Sequence, residues 1–218
     1  MKDERDCKSE SIREFNRSAE SYDQQSPFYY RMTRLCDDAV IKQIASFYKP
    51  TAHILDVGCG TGALLERIRQ TFPDAVLHGL DISPKMLTIA RNRNIHEVAF
   101  DEGDAENLPY DNNSFDIVVC CSSFHHYPNP QKALAEFRRV VKPGGKLLIC
   151  DMDLPDIARL FANHILFPRQ HKGDVHVYTR QEIKQLLRDQ GWTHCRVERI
   201  TPIEWIAIGT AHIQSPIS

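Results

Sequence analysis

A glycine-rich run and two acids are the residues of this chain best suited to chemistry. Asp56-Val57-Gly58-Cys59-Gly60-Thr61-Gly62 places a carboxylate ahead of three alternating glycines. Glycines at that spacing let the backbone turn tightly and approach a bound group closely. A helix starting just beyond presents unsatisfied N–H groups to an anion. Asp81 ends the next apolar run, where a carboxylate can accept hydrogen bonds from both ribose hydroxyls. Together they predict a site for a nucleotide-type cofactor. The spacing alone does not choose among such cofactors, because Gly58-x-Gly60-x-x-Ala63 also fits the loose dinucleotide fingerprint.

Other reactive side chains give weaker signals. His125-His126 follows a strongly apolar segment and supplies the two candidates for a general base. His164, His171 and His176 fall in a later segment expected to shape an acceptor site, each read singly as a surface or structural histidine. The seven cysteines include no CxxC pair, so no metal site is expected, and they read as reduced thiols used partly as small core residues.

The elements that must hold these residues follow from periodicity. Ser11–Ser21 and Phe28–Tyr48 carry apolar residues at helical spacing, with a turn at Ser26-Pro27 between them and Pro50 after them. The charged Met1–Asp6 run reads as a solvated, mobile tail. Strands are predicted at 53–57, 76–80, 98–100, 115–121 and 146–150. Helices at 63–71, 84–91 and 131–141 alternate with them, and Pro143-Gly144-Gly145 marks a sharp turn. Such βα alternation predicts a doubly wound, mostly parallel sheet with helices on both faces. Leu154–Phe167 reads as helix and Gly173–Tyr178 as loop. Thr179 and Glu182 form a capping box for a helix over 180–190, with Gly191 beyond its end. Runs at 195–200 and 203–208 are joined so tightly that they must pair antiparallel.

Four segments in order resemble the motifs of class I S-adenosylmethionine (SAM)-dependent methyltransferases. Ile54–Gly62 resembles the first motif, Gly79–Leu87 the ribose-binding motif, and Gly103–Tyr110 the loop where an acid meets the adenine amino group. Phe115–Cys121 with Leu134–Leu148 resembles the fourth strand through the fifth. The likeness covers about residues 50–151 and is greatest for the small-molecule group that includes the ubiquinone/menaquinone-biosynthesis methyltransferases. Phe15–Asp23 is similar to that group's opening segment.

The resemblance implies a seven-stranded Rossmann-like α/β sheet with an antiparallel C-terminal hairpin and N-terminal helices, SAM as cofactor, and a small-molecule acceptor. It implies Asp56 near the methionine amino group and the Gly58 and Gly60 backbone along the methionine end. It also implies Asp81 on the ribose, Ile82 on adenine, Asp104 and Ala105 at the adenine edge, Ser122 near the reacting end and Tyr22 in a lid. One domain is expected over 1–218. Its parts are a helical lid and acceptor segment (1–50), a SAM-binding core (51–151), an acceptor-site insert (152–178) and a closing helix and hairpin (179–218).

Bulk properties narrow the alternatives. Lys and Arg total 27 against 29 for Asp and Glu, a net charge of −2, so no basic field points to nucleic acid. No apolar run is long enough to span a bilayer and no secretory signal is visible, which places the expected compartment in the cytoplasm. Two rival readings stand: a SAM-binding regulatory or interaction subunit without turnover, and an NAD-dependent oxidoreductase on the same fold.

Overall fold

The computed structural model describes residues 4–24, 27–170 and 172–212. Seven strands form one sheet: β1 (His53–Val57), β2 (Val76–Asp81), β3 (Val98–Glu102), β4 (Phe115–Cys121), β5 (Val141–Met152), β6 (Trp192–Thr201) and β7 (Glu204–Ala211). Their order is β3-β2-β1-β4-β5-β7-β6. The first five run parallel, and β7 lies antiparallel between β5 and β6. Chain order reverses between β1 and β4, so a crevice opens there at the carboxyl ends of the strands.

Alternation along the strands splits the core in two. Leu55, Val57, Val118 and Leu147 face Phe124, Phe137 and Trp205 on one side. Ile54, Leu77, Val119 and Leu148 face the other, where α2 (Pro27–Ala45) and α3 (Ala63–Thr71) cover them with Val40, Ile44, Leu65 and Ile68. Because β4 is covered on both faces, its sequence is a continuous apolar run rather than an alternating one.

The termini of the helices follow local chemistry. Gly62, at φ 78°, starts α3, a conformation that glycine adopts without Cβ strain. Ser83 caps α4 (Pro84–Asn92) by accepting from the Met86 N–H, with Pro84 in the first turn. α5 (Pro130–Val140) is capped by Asn129. α7 (Arg180–Asp189) carries the full capping box of Thr179 and Glu182.

Four expectations are corrected. Over its described part the N-terminal charged run is helical, with Glu4 and Asp6 exposed: α1 spans Glu4–Ser18 and continues as a 3-10 turn over Ala19–Gln24. Further along the same helix Lys8 makes tertiary contacts, described below. The Pro143-Gly144-Gly145 turn does not precede the fifth strand but bulges out of it. Phe115 pairs with Val141 and Ile117 already with Lys146, and Gly144 sits at φ 79°. The helix expected from Leu154 begins only at Asp156, after Pro155, as α6 (Asp156–Phe161), and widens to π geometry over Ala162–Leu166. The second N-terminal helix ends at Ala45, not Tyr48. Ser26 of the expected turn, and His171, lie outside the described residues. Among the described residues, no helix is long and apolar enough to cross a membrane.

Candidate functional site

A cavity of about 390 Å³ opens at the carboxyl ends of β1, β2 and β4. The fold brings Tyr22, Asp56, Gly58, Gly60, Asp81, Ile82, Asp104, Ala105 and Ser122 together on its wall, with His126. His125 does not line it. Residues 152–178 do not line this cavity among the described residues, but Gly173 and Asp174 of that segment contact His126, which does. The N-terminal elements do supply wall, through Lys8, Phe15 and Tyr22.

Asp81 is fixed by the glycine loop itself. Its Oδ2 accepts from the Gly60 N–H at 2.8 Å and its Oδ1 from the Ser83 N–H at 2.8 Å. Burial raises this carboxyl from its ordinary value, and the backbone donors partly restrain it. A Cβ at Gly58 would lie 2.2 Å from Ser123 Oγ, so the loop's first glycine is required for close packing. A Cβ at Gly60 would meet nothing within 4 Å. There the chain borders open space that a ligand can fill.

Asp56 differs from Asp81. It is 2% exposed, faces the cavity, and its carboxylate has no hydrogen-bond partner among the described residues. Burial, and then the neighbouring Cys121, Asp37 and Asp81, push its carboxyl well above the ordinary value. A buried carboxylate without a partner costs stability. A cationic group entering the cavity offsets that cost.

α1 closes the cavity wall that carries Asp104 and Glu106. Lys8 Nζ donates to Asp104 Oδ2 at 2.8 Å and to Glu106 Oε2 at 2.6 Å. Glu106 is held in turn by the Asn129 N–H, and Asp104 Oδ1 by the Glu106 N–H. Asn16 accepts from Ser83 Oγ at 2.9 Å, pinning the same helix to the start of α4. Arg93 ties the loop to the 3-10 turn: it donates to the Thr61 carbonyl at 2.6 Å and pairs with Asp23 and Glu66.

The two histidines separate in role. His125 Nδ1 lies 2.8 Å from Asp151 Oδ1, and its Nε2 lies 3.7 Å from Asp174. Burial presses this imidazole down, but the charge and hydrogen bond of Asp151 prevail, so its value is raised. His126 Nδ1 faces two acceptors, the Gly173 carbonyl at 3.2 Å and Asp174 at 3.3 Å. These place the proton on Nδ1 and leave Nε2 as the acceptor nitrogen. Burial, and then His125, hold His126 well below the ordinary histidine value. Of the later histidines, His164 is exposed, and His176 packs on Tyr178 and contacts Asn163.

Sequence reasoning passed over Lys8, Glu106, Arg93, Asp151 and Asp174. No local pattern marked them, since each works through partners remote in the chain. Three cysteines also come together unannounced: the Sγ atoms of Cys36, Cys121 and Cys150 lie within 4.8 Å of one another.

A parallel sheet with a strand-end acid, a glycine loop and an antiparallel seventh strand defines a nucleotide-cofactor protein of the Rossmann-like class. The methyltransferase domain family matches residues 55–149. A demethylmenaquinone methyltransferase of Tropheryma whipplei is 33% identical over 72% of this chain and 67% of its own length. One of Deinococcus radiodurans is 34% identical over 52% of this chain and 51% of its own. Among solved structures, the methyltransferase in a Haloferax volcanii complex with the Trm112 methyltransferase activator superposes with a TM-score of 0.78. It is 20% identical, with 94% of this chain and 99% of that one covered. The chain belongs to the class I SAM-dependent methyltransferases, a family whose cofactor is SAM. It spans about half the length, or less, of the first curated relatives it matches.

The residues present fit that cofactor. Asp56 is a buried carboxyl on the cavity wall whose ionised form a cation would stabilise, as the amino group of a methionine end would supply. Asp81 keeps lone pairs beyond the two used by backbone donors.

Proposed function

We propose that this protein transfers the SAM methyl group in line to an O, N, C or S nucleophile of a small-molecule acceptor. The partnerless Asp56 carboxylate at the wall of the glycine-loop cavity carries the reading, because the methionine ammonium answers it. Asp56 then binds the amino group, with the Gly58 and Gly60 backbone beside the methionine end. Asp81 takes the ribose hydroxyls, and Ile82, Asp104 and Ala105 border the adenine. Ser122, left-handed at φ 53°, turns the chain at the end of β4 beside the reacting end. Tyr22 packs edge-on to Phe15, with ring centroids 6.4 Å apart, as part of the N-terminal cover.

Bound SAM supplies an activated methyl, because its sulfonium leaves as a neutral thioether. The chain's contribution is alignment of the nucleophile and exclusion of water. Where the nucleophile carries a proton, His126 Nε2 accepts it. Asp174 and Gly173 hold the ring's other nitrogen, and the His125–Asp151 pair backs the cluster.

Calorimetric titration with SAM, S-adenosylhomocysteine and NAD tests the site, alongside Asp81→Ala. Binding of the first two, absent for NAD and lost in the variant, is expected. Binding of NAD alone overturns the reading. An acceptor screen follows, beginning with demethylmenaquinone, the acceptor in the names of the two curated relatives above. SAM binding with no methylated product from any acceptor identifies a regulatory subunit instead.

A further inference from the structure

Cys36, Cys121 and Cys150 are brought together by topology. Cys121 and Cys150 are direct partners across the parallel β4–β5 ladder, so their side chains share one face of the sheet. α2 packs over that face and sets Cys36 against both. All three ligand atoms fall within 4.8 Å of one another, with Cys36 and Cys150 buried and Cys121 half-buried. Three sulfurs around an ion with bonds of about 2.3 Å stand about 3.8 Å apart. Small side-chain movements therefore close the set.

A fourth group faces them. Glu204, at the start of β7, is 4% exposed, accepts a hydrogen bond from Thr201 Oγ1 at 3.1 Å, and acts electrostatically on Cys36 and Cys121. It has no cationic partner among the described residues, although buried carboxylates are ordinarily paired with a cation or coordinate a metal. Cys121 also lines the large cavity, which gives an ion a way in. Sulfur ligands select soft or borderline cations over Mg²⁺ or Ca²⁺.

We infer that Cys36, Cys121 and Cys150 form a three-sulfur site for a thiophilic divalent cation, with Glu204 as the adjoining carboxylate. The site adjoins the glycine-loop cavity through Cys121, and it does not rest on the methyl-transfer reading.

Cd²⁺ is the probe. The reduced protein, residues 1–218, is titrated under a non-thiol reductant while the thiolate-to-cadmium absorption is followed. Saturation at one equivalent per chain is expected. Cys36→Ser, Cys121→Ser and Cys150→Ser, checked as folded by circular dichroism, each lower affinity by at least the roughly 10–100-fold that outer-shell changes cost elsewhere. Cys7→Ser and Cys195→Ser, outside the cluster, leave it unchanged. X-ray absorption at the cadmium edge of the parent protein, which needs no variant to fold, shows three sulfur neighbours. Fewer than three sulfurs, no saturable binding, or affinity that survives Cys36→Ser overturns the site.

Discussion

Lys8 reaches 96 residues along the chain to place its ammonium 2.8 Å from Asp104, and the same nitrogen lies 2.6 Å from the buried Glu106. The contact makes α1 a cover held by charge on one wall of the cavity. Lys8→Met keeps the aliphatic stem but leaves Glu106 buried without its cation. A loss of about 1–3 kcal/mol is expected for an acceptor so stranded. Hydrogen exchange then rises across residues 4–18 well before it does in β4. Equal protection of both segments in the variant would show that α1 is held by something other than Lys8.

Asp56 gives the opposite sign. Because its carboxylate is buried without a hydrogen-bond partner among the described residues, Asp56→Asn removes the cost of burying a charge and raises the stability of the ligand-free protein. The same change removes a charge-assisted contact to the cofactor's ammonium. At about 1.5–3 kcal/mol, that weakens SAM binding roughly 10- to 150-fold. Thermal unfolding and calorimetry together check both halves. A variant that is less stable and binds equally well would remove Asp56 from the site.

Legibility in the sequence followed the range over which each signal acts. Gly58, Asp81 and the Thr179–Glu182 box were readable because turn, strand end and cap are set by residues a few positions apart. The C-terminal hairpin was readable because only Thr201-Pro202 separates two apolar runs. Lys8 was not, since nothing near it marks a partner 96 residues away. The cysteine cluster hid for the same reason: Cys36 meets Cys121 and Cys150 only once α2 lies on the sheet. His125 and His126, adjacent and identical in type, were inseparable until the 3-10 turn Phe124–His126 aimed one at Asp151 and the other at the cavity.

Of the loop's three glycines, Gly58 packs most tightly and Gly60 borders open space. Gly58→Ala adds left-handed strain of about 1–2 kcal/mol and drives a methyl into Ser123, which is anchored to Tyr127 at 2.7 Å. Gly60→Ala adds the strain alone. Gly58→Ala is therefore the more destabilising, and Ser123→Gly partly rescues it, with a coupling of about 0.5–3 kcal/mol in a double-mutant cycle. Additive denaturation energies would mean that Ser123 is not what the methyl meets.

His126 carries the prediction that bears on catalysis. Its value is held well below the ordinary 6.5, first by burial and then by His125. A general base is active when neutral, and a lowered value delays protonation to more acid pH. The rate constant kcat/KM with a proton-bearing acceptor should therefore stay level as pH falls through 6.5 and decline only below it. His126→Asn, which cannot take the proton, should lower kcat by about 10²–10⁴-fold and abolish that acid limb. SAM affinity should stay near the parent's. His125→Asn should act differently, destabilising the fold because buried Asp151 loses its ring partner. An acid limb that persists unchanged in His126→Asn would assign the proton to another group, and an unaltered rate would leave alignment by the cavity as the whole of the chain's contribution.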